Sequence, residues 1–393
     1  MSTPQTNPTP NPTQNLYVDN ESRQMTFNWT RSLPRKCLLR VVLYRLAIAL
    51  GIVVATATAS SAQPTYRLHN NGELWVSRAD TCDGKACVSW HLLDNDPTTQ
   101  EITAGVANGP FDSLNAPPNG APVYQRRAGG KILRYTGKPC CNGSCPGWKL
   151  LEENPSIVSI VAAGREHLYK RHQDGSIYGT KCNLDGSCPP WQQLDKSNPN
   201  TVEISAGGLP EQTALYKRHK DGEIWRYTGT PCADGLCQGW ELLDHKDPET
   251  AQIIATVLKS STGSLVQVLY KRHKNGEIWR HCSPEGACRG WTKLDDQKPE
   301  NLRAISIVAA AVDLYQLRSD GSILIYKPNQ PCTGGICPKW QLLDKNVQNR
   351  EIAAGHKSFY KRHENGTIWR HLRGTEWQLL YDPTMSTIVS TQN

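Results

Sequence analysis

The chain has 393 residues, of which 38% are hydrophobic and 20% are charged, with 44 Lys and Arg against 36 Asp and Glu. This apolar content is sufficient for packed cores and places the chain among globular proteins. The formal charge of +8 falls to +4 without the first 62 residues, because that segment holds six basic and two acidic residues. So mild an excess excludes a strongly basic nucleic-acid-binding face, and we expect no nucleic-acid partner.

The first 62 residues are predicted to be a targeting region. Residues 1–24 are rich in Pro, Asn and Thr without periodicity, which predicts a disordered N-terminal tail. Residues 25–62 combine five basic residues with an uncharged run and small residues at Ala59 and Ala62, the pattern of a signal peptide. We therefore expect a secreted protein. The alternative is an uncleaved signal anchor with the remaining chain outside the cytoplasm, which would be the only link to a membrane.

Residues 63–393 are predicted to form one domain made of seven repeats, each marked by a Tyr and, further along, a Trp. A period in the forties with short β-like runs and no 3.6-residue apolar stripe is typical of β-propellers. The tyrosines are Tyr66, Tyr124, Tyr169, Tyr216, Tyr270, Tyr315 and Tyr360, and the tryptophans are Trp90, Trp148, Trp191, Trp240, Trp291, Trp340 and Trp377.

Each repeat is predicted to hold four strands, which in the fourth repeat are "EISAGG", "LYKRH", "EIWRYT" and "WELLD". An Asn-Gly, Asp-Gly or Gly-Gly pair joins the second strand to the third in every repeat. Such pairs accept positive φ at both residues, so we predict two-residue type I′ turns. With Asp221 and Gly222 as the turn, Arg218 would lie opposite Trp225 in a cation–π pair.

Cysteine pairs recur between the third and fourth strands of six repeats. Zinc needs four converging ligands, which loops on separate repeats cannot supply, so we expect no metal site. Disulfides worth about 2 kcal/mol each are the better interpretation, and they agree with export to an oxidising compartment. Cys141 is left over as a candidate free thiol. The predicted pairs are Cys82–Cys87, Cys140–Cys145, Cys182–Cys188, Cys232–Cys237, Cys282–Cys288 and Cys332–Cys337.

The two ends of the repeat array complement each other. No small-residue first strand precedes Tyr66, whereas residues 386–391 supply a spare one after the seventh repeat. Lending this strand to the first repeat closes a ring and removes two exposed sheet edges. The predicted fold is therefore an all-β, seven-bladed β-propeller of four-stranded antiparallel blades, closed by the C-terminal strand that completes the first blade.

The Arg–aromatic pairs of the hairpins vary among repeats, whereas the marker Tyr and Trp are constant and are assigned to structure. A flat ring flanked by fixed donors suits a sugar, which stacks its C–H face and hydrogen-bonds through its hydroxyls. Repeated weak sites also gain by multivalency. The alternative is that the pairs only pack neighbouring blades together. The candidate carbohydrate-binding residues are Trp75, Arg171, Tyr178, Arg218, Trp225, Arg272, Trp279, Arg362 and Trp369.

Repeats of the form "LYKRHKDGEIW" followed by "WELLD", with a tail that completes the first blade, resemble the tachylectin-type multibladed β-propeller lectins over residues 65–391. The resemblance implies sugar pockets between adjacent blades, around Trp225, Trp279 and Trp369, for acetylated amino sugars or related residues. The seven repeats, the cysteine pairs and the "KRH" triplet depart from that family's pattern.

These observations predict a multivalent carbohydrate-binding protein, a lectin, with glycans or glycoproteins as partners. The alternative is a non-catalytic protein–protein interaction propeller at the cell surface. We expect no enzyme, no catalytic residues and no cofactor, because the sequence contains neither a GxSxG nor an HExxH motif. The repeated acids also occupy equivalent blade ends instead of forming one asymmetric pair; they are Asp94, Asp195, Asp244, Asp295 and Asp344.

Overall fold

A computed structural model of the protein shows seven antiparallel sheets that follow one another along the chain. It describes residues 65–77, 90–105, 122–183, 185–209, 212–259, 265–282, 290–296, 299–310, 313–326, 340–354, 358–372 and 376–381. The predicted N-terminal tail, the signal segment and the closing strand all lie outside these residues. In the described segments, no helix has the length and apolar character needed to cross a membrane.

Each sheet is one blade, and the described residues give three strands to blade 1 and four to each of the others. Short 3₁₀ turns occur at Ala128–Gly130 and Glu300–Leu302. The strands are β1 (Thr65–Leu68), β2 (Leu74–Ser77) and β3 (Trp90–Asp94) in blade 1; β4 (Thr99–Ala104), β5 (Val123–Arg127), β6 (Lys131–Tyr135) and β7 (Trp148–Glu153) in blade 2; β8 (Ile157–Ala163), β9 (His167–His172), β10 (Ile177–Lys181) and β11 (Gln192–Asp195) in blade 3; β12 (Thr201–Leu209), β13 (Gln212–His219), β14 (Ile224–Tyr227) and β15 (Trp240–Asp244) in blade 4; β16 (Thr250–Lys259), β17 (Leu265–His273), β18 (Ile278–Cys282) and β19 (Trp291–Asp295) in blade 5; β20 (Ala304–Ala310), β21 (Asp313–Arg318), β22 (Ser322–Tyr326) and β23 (Gln341–Lys345) in blade 6; and β24 (Asn349–Ala354), β25 (Ser358–His363), β26 (Ile368–Leu372) and β27 (Trp377–Tyr381) in blade 7.

The blades form a ring, which confirms the predicted seven-bladed β-propeller. The first strands of successive blades contact one another from β4 to β24. A fourth-strand Trp also donates to a backbone carbonyl of the preceding blade, as Trp240 Nε1 does to Leu194 O at 2.7 Å. The same bond joins Trp90 Nε1 of blade 1 to Leu380 O of blade 7 at 3.1 Å. The last blade therefore contacts the first through its outer strand.

Both faces of a blade are buried, because neighbouring residues of its second strand point to opposite neighbours. Leu215 of β13 packs against Leu194 of blade 3, and the adjacent Tyr216 packs against Leu269 of blade 5. Burying such a side chain stabilises the fold by about 1.5 to 3 kcal/mol. Two adjacent residues, such as Leu215 and Tyr216, are therefore both buried, and the sequence does not alternate between apolar and polar residues there.

The hairpin between the second and third strands has a three-residue loop, so the predicted two-residue type I′ turn is wrong. His219 N donates to Glu223 O at 2.9 Å, and Gly222 N donates to His219 O at 3.0 Å. Gly222 has φ of +87°, but Asp221 is not among the described residues with positive φ. This is a type I turn followed by a glycine bulge. Asp221 Oδ1 supports the turn by accepting the Glu223 N–H at 3.3 Å.

One extra loop residue changes which side chains share a face, because side chains alternate along a strand. Lys217 lies opposite Trp225, and Arg218 lies opposite Ile224. The predicted Arg218–Trp225 pairing is therefore wrong. The corresponding opposite pairs in other blades are Arg67 with Trp75, Lys170 with Tyr178, Lys271 with Trp279 and Lys361 with Trp369.

Three of the predicted disulfides are confirmed: Cys140–Cys145, Cys182–Cys188 and Cys232–Cys237. The other three predicted pairs each include a cysteine outside the described residues. Cys141, the candidate free thiol, is disulfide-bonded. Counting pairs within single loops cannot find such a bond.

Two of the disulfide loops lie along the outer edge of the preceding blade. Cys140 N donates to Leu92 O of β3 at 3.1 Å, and Cys232 N donates to Gln193 O of β11 at 2.9 Å. Each of these bonds satisfies a carbonyl group of an outermost strand. The loops thereby protect sheet edges that would otherwise be open to another chain.

Candidate functional site at the interblade clefts

A buried lysine marks the cleft between blade 4 and blade 3. Lys217 is 5% exposed, and its Nζ lies 2.5 Å from Asp195 Oδ2 at the end of β11. The same Nζ lies 5.4 Å from the ring centre of Trp225 and 4.4 Å from that of Trp240. Burial lowers the pKa of Lys217, and the Asp195 carboxylate opposes that shift. A carboxylate and two ring faces therefore compensate an ammonium group that has left water.

We number each cleft by the blade that supplies its second-strand residue, so the arrangement around Lys217 is cleft 4. Clefts 5 and 7 repeat it with Lys271 and Lys361, which lie 2.6 Å from Asp244 Oδ2 and 2.5 Å from Asp344 Oδ2. In cleft 3, Lys170 pairs with Glu152. Two aromatic rings flank each lysine within 6 Å: Tyr178 and Trp191, Trp279 and Trp291, and Trp369 and Trp377.

Cleft 1 uses an arginine and a tyrosine in place of the lysine and the acid. Arg67 Cζ lies 5.6 Å from the Trp75 ring centre, 4.7 Å from that of Trp90 and 3.6 Å from that of Tyr381. Burial lowers the pKa of Arg67 to about 10, which Tyr381 and Glu73 oppose. Because Tyr381 belongs to blade 7, this cluster also joins the last blade to the first.

Clefts 2 and 6 lack both the cation at the position of Lys217 and the third-strand ring. Gln125 lies opposite Leu133, and Gln316 lies opposite Leu324. Gln316 Nε2 donates to Asp295 Oδ2 at 3.0 Å, so the acid of the neighbouring blade is still used. The joint change from Lys and Trp to Gln and Leu is visible in the sequence. It is the signal that could have identified the lysines, which the sequence-based prediction missed.

The predicted arginines lie on the opposite face of the blade. Arg218 Nε contacts Glu203 Oε2 at 2.7 Å, and its Nη1 donates to Thr250 O of blade 5 at 3.1 Å. Glu203 Oε1 in turn accepts the Ile253 N–H at 3.3 Å. Arg218 therefore holds the first strand of the next blade, which supports packing as its role.

The other three predicted arginines make related contacts. Arg171 Nη1 donates to Thr201 O at 3.3 Å, Arg272 Nε to Gln252 Oε1 at 3.2 Å, and Arg362 Nε to Glu351 Oε2 at 2.7 Å. The structure thus separates the arginines from the aromatic residues with which they were grouped. That any of the nine residues binds a sugar stays a prediction.

Fixed polar groups lie beside the half-buried Trp225 ring. Glu223 Oε2 accepts the Trp225 indole N–H at 3.3 Å and lies 3.2 Å from His219 Nδ1. His219 Nε2 lies 3.3 Å from Asn198 Nδ2 in the link between blades. Burial, followed by the nearby Lys217, lowers the pKa of His219. The imidazole is therefore neutral near pH 7, and Glu223 is the charged group beside the ring.

His219, Asp221 and Glu223 bring possible metal-ligating atoms within 4.8 Å of one another. Each of them already takes part in a hydrogen bond of the hairpin: His219 with Glu223, Asp221 with the Glu223 N–H, and Glu223 with Trp225. Glu223 Oε2 and Asp221 Oδ1 already accept hydrogen bonds within the hairpin, so these two atoms fix the ring rather than enclose a metal ion.

No protein-family model and no curated protein match this chain. Similar solved structures include Prp20p from Saccharomyces cerevisiae, at 10% identity and a TM-score of 0.46 over 67% of this chain and 76% of that one. YCF48 bound to D1 peptide is similar at 13% identity and 0.46 over 80% and 89% of the two chains. SapL1 lectin in complex with alpha methyl fucoside is similar at 14% identity and 0.42 over 72% and 96%.

These similarities carry no argument about what the chain binds, because both the identities and the scores are low. The fold and the clefts define a seven-bladed β-propeller with a repeated cation and aromatic motif between blades. The resemblance to tachylectin-type lectins beyond the propeller fold stays a prediction.

Proposed function

We propose that the protein is a non-catalytic, multivalent carbohydrate-binding protein whose sugar sites are the third-strand rings of five clefts. The observation that carries this proposal is the absence of these rings from clefts 2 and 6, where Leu133 and Leu324 stand instead. The propeller packs without these aromatic side chains, since the Trp148 and Trp340 indoles still donate to a carbonyl of the preceding blade in clefts 2 and 6. The third-strand rings are therefore not needed for closure. They are Trp75, Tyr178, Trp225, Trp279 and Trp369.

The chemistry of each site suits a sugar. All five rings are half-buried, which leaves part of each available to the C–H face of a pyranose. In cleft 4, the Glu223 carboxylate beside the ring can accept sugar hydroxyls, and the lysine beneath the ring holds it in one orientation. A preorganised ring with fixed polar neighbours loses little entropy on binding.

The ring of blades repeats this site up to five times on one molecule. A single exposed sugar site binds weakly, but several sites that engage one glycan surface raise the apparent affinity by about 10² to 10⁴. The described disulfides are typical of an oxidising environment. Secretion, followed by binding to surface glycans or glycoproteins, is the setting in which such a protein would act.

The test exchanges the variable pairs for those that clefts 2 and 6 already use. A variant with Lys217→Gln and Trp225→Leu, Lys271→Gln and Trp279→Leu, and Lys361→Gln and Trp369→Leu should keep its β-sheet circular dichroism and lose most retention on a glycan array. Removing each lysine together with its ring avoids leaving a buried charge without its partners. The loss should be much larger than threefold, because avidity falls with every site removed.

Arg362→Ala is the matched control, since this arginine is 45% exposed and belongs to the nine predicted residues. Unchanged retention in this control, with loss in the exchanged variant, assigns binding to the rings rather than the arginines. Full glycan retention by the folded, exchanged variant would contradict the proposal. Capture of a protein ligand without any response to glycans would favour the protein–protein interaction propeller.

A further inference from the structure

One cleft already holds an ammonium group between its carboxylate and its ring. In cleft 5, Lys293 Nζ lies 2.8 Å from Glu277 Oε1 and 4.9 Å from the ring centre of Trp279. Lys293 stands on β19, directly opposite Trp279 in the sheet. The hydrogen bond from Lys293 lowers the pKa of Glu277. The protein thus shows where a cation fits at this edge of the cleft.

The same carboxylate and ring recur without the lysine in clefts 1 and 4. Trp75 Nε1 donates to Glu73 Oε2 at 3.2 Å, and Trp225 Nε1 donates to Glu223 Oε2 at 3.3 Å. Opposite these two rings stand leucines, Leu92 on β3 and Leu242 on β15. We call each pair of Glu and Trp an acidic notch. The notches of clefts 1 and 4 lack the internal cation of cleft 5.

No lysine or arginine of the described residues forms an ion pair with either of these two carboxylates. The partner within ion-pair distance of Glu223 is His219, at 3.2 Å, and that imidazole is neutral near pH 7 because burial lowers its pKa. Lys217 is already paired with Asp195. The Glu223 side chain is 19% exposed, so part of the carboxylate faces solvent. The notch of cleft 4 therefore carries a carboxylate with no described lysine or arginine within ion-pair distance.

We propose that the acidic notches of clefts 1 and 4 bind a primary ammonium group of the ligand, in the place that Lys293 fills in cleft 5. This inference rests on the proposed sugar binding and names its ligand class, a hexosamine with a free amino group. The ammonium would donate to the Glu carboxylate and lie over the Trp face, a combination stronger than a neutral hydrogen bond.

Clefts 3 and 7 also carry a third-strand ring but lack the glutamate of the acidic notch, so the predicted amine binding is limited to clefts 1 and 4. Clefts 3 and 7 have Ser176 and Thr367 where the acidic notches have a glutamate. Thr367 Oγ1 is occupied by Asn365 Oδ1 at 2.8 Å, so it offers no charge to an amine. These two clefts suit uncharged sugars, and the acidic notches of clefts 1 and 4 disfavour anionic ones because like charges repel.

The experiment moves the internal lysine between clefts. Glucosamine, N-acetylglucosamine and glucose are titrated into the full chain, and the number of amine-preferring sites and their affinities are measured by calorimetry and NMR. The wild type should show two sites that prefer glucosamine over the other two sugars by about tenfold, the scale of one desolvated cation–π contact with an ion pair. Leu92→Lys with Leu242→Lys should abolish the preference, and Lys293→Leu should add a third such site.

These variants preserve the fold by design, since each introduces a residue that another blade already carries at the same position. Glu73→Gln with Glu223→Gln is a second variant, and it keeps an acceptor for each indole N–H while removing the charge. It should reduce glucosamine binding to the level of glucose. A preference for glucosamine that survives both the added lysines and the glutamines would overturn the inference.

The failure of this inference and that of the proposed function can be told apart with methylammonium as a sugar-free probe. Sugars that bind without any amine preference would leave the lectin proposal standing and overturn the acidic notch. Methylammonium binding that follows the lysine exchanges, without any sugar binding, would support the notch and contradict the lectin. Absence of binding by both kinds of probe would overturn both.

Discussion

Clefts 4 and 6 solve the same packing problem with different chemistry. In cleft 4 a buried lysine bonds to Asp195 and lies between Trp225 and Trp240. In cleft 6 Gln316 Nε2 donates to Asp295 Oδ2 at 3.0 Å, and Arg318 Nη2 reaches the same oxygen at 3.0 Å. Both clefts keep the acid of the preceding blade and the fourth-strand Trp. The cation under the ring and the ring itself are the variable parts.

The difference also changes what the outer surface presents. Leu342 of cleft 6 lies opposite Leu324 and is 63% exposed, whereas Leu242 lies opposite Trp225 and is half-buried. The third-strand ring thus covers the neighbouring strand where it is present. Cleft 6 has Leu324 in place of the ring, and cleft 4 has Trp225 with charged neighbours. Comparing the two separates what holds the propeller together from what it could use to bind.

Removing the acid should distinguish the clefts most strongly. Asp195→Ala leaves the Lys217 ammonium buried without its carboxylate, and we expect it to lower the free energy of unfolding by about 3 kcal/mol. Asp295→Ala removes the acceptor of the neutral Gln316 amide and of the more exposed Arg318 guanidinium. The free energy of unfolding should therefore fall by about half as much as in Asp195→Ala. Urea unfolding followed by tryptophan fluorescence measures both.

A second substitution checks the cause of the loss. Lys217→Met in the Asp195→Ala background removes the unpaired charge and should recover more than half of the lost free energy. If both Asp variants lost the same free energy, or if Lys217→Met gave no recovery, the buried ammonium would not be what makes cleft 4 sensitive.

Replacing the residues of cleft 4 by those of cleft 6 should lower the free energy of unfolding by less than Asp195→Ala does. Lys217→Gln with Trp225→Leu removes the cation and its ring together, and the new amide can reach Asp195 as Gln316 reaches Asp295. We expect a loss of about 1 kcal/mol, from the cation–π contact and part of the apolar area of the indole. Trp225→Leu alone should cost more, since it leaves Lys217 under a smaller apolar neighbour. A double-variant loss equal to the sum of the losses of Lys217→Gln alone and Trp225→Leu alone would show that the pair is not coupled.

The reverse graft is the smaller perturbation. Gln316→Lys with Leu324→Trp places the missing pair in cleft 6, where Asp295 and Trp340 already stand. Its stability should stay within about 1 kcal/mol of the wild type, because the new cation has a carboxylate to pair with, although Arg318 shares it. Glycan retention should increase, because the variant has one more sugar site. A stable variant without any added binding would mean that ring and lysine are not sufficient for a sugar site.

The repeat number, the four-strand plan, the ring and three disulfides could be predicted from the sequence because each depends on local, repeated signals. The face of the hairpin residues could not, since an Asp-Gly pair fits a two-residue turn and also a three-residue loop. Gly222 has positive φ in both cases, and the Asp221 side chain supports the longer loop by accepting the Glu223 N–H. Because the loop is one residue longer than predicted, Lys217 and not Arg218 lies opposite Trp225.

The sequence did contain a test of that register. A residue that faces a ring should change when the ring is lost, and Lys217 corresponds to Gln125 and Gln316 in the two repeats without the third-strand ring. The arginine position keeps Arg126 in one of these repeats, so it does not follow the ring. Arg126 has a different role, because its Nε contacts Glu101 Oε2 at 2.7 Å, and Glu101 Oε1 accepts the Ile160 N–H of the next blade.

The weakest expected contrast between the two kinds of cleft is their response to acid. Burial lowers the pKa of His172, His219 and His363, and the lysine beneath each of them lowers it further. Clefts 2 and 6 have Arg127 and Arg318 in this place instead of a histidine. A histidine with a folded-state pKa below its unfolded value of about 6.5 contributes stability above that pH, and the contribution is lost as the pH falls through the folded-state pKa.

The free energy of unfolding should therefore decrease as the pH falls below about 6.5, because the unfolded chain then binds more protons than the folded one. His172→Gln with His363→Gln should flatten this dependence between pH 7.5 and pH 5, as measured by urea midpoints at each pH. Acid would also place an imidazolium beside Lys170 and Lys361, so the affected clefts should loosen first in hydrogen exchange. An unchanged pH slope in the double variant would assign the acid response to the carboxylates instead of the histidines.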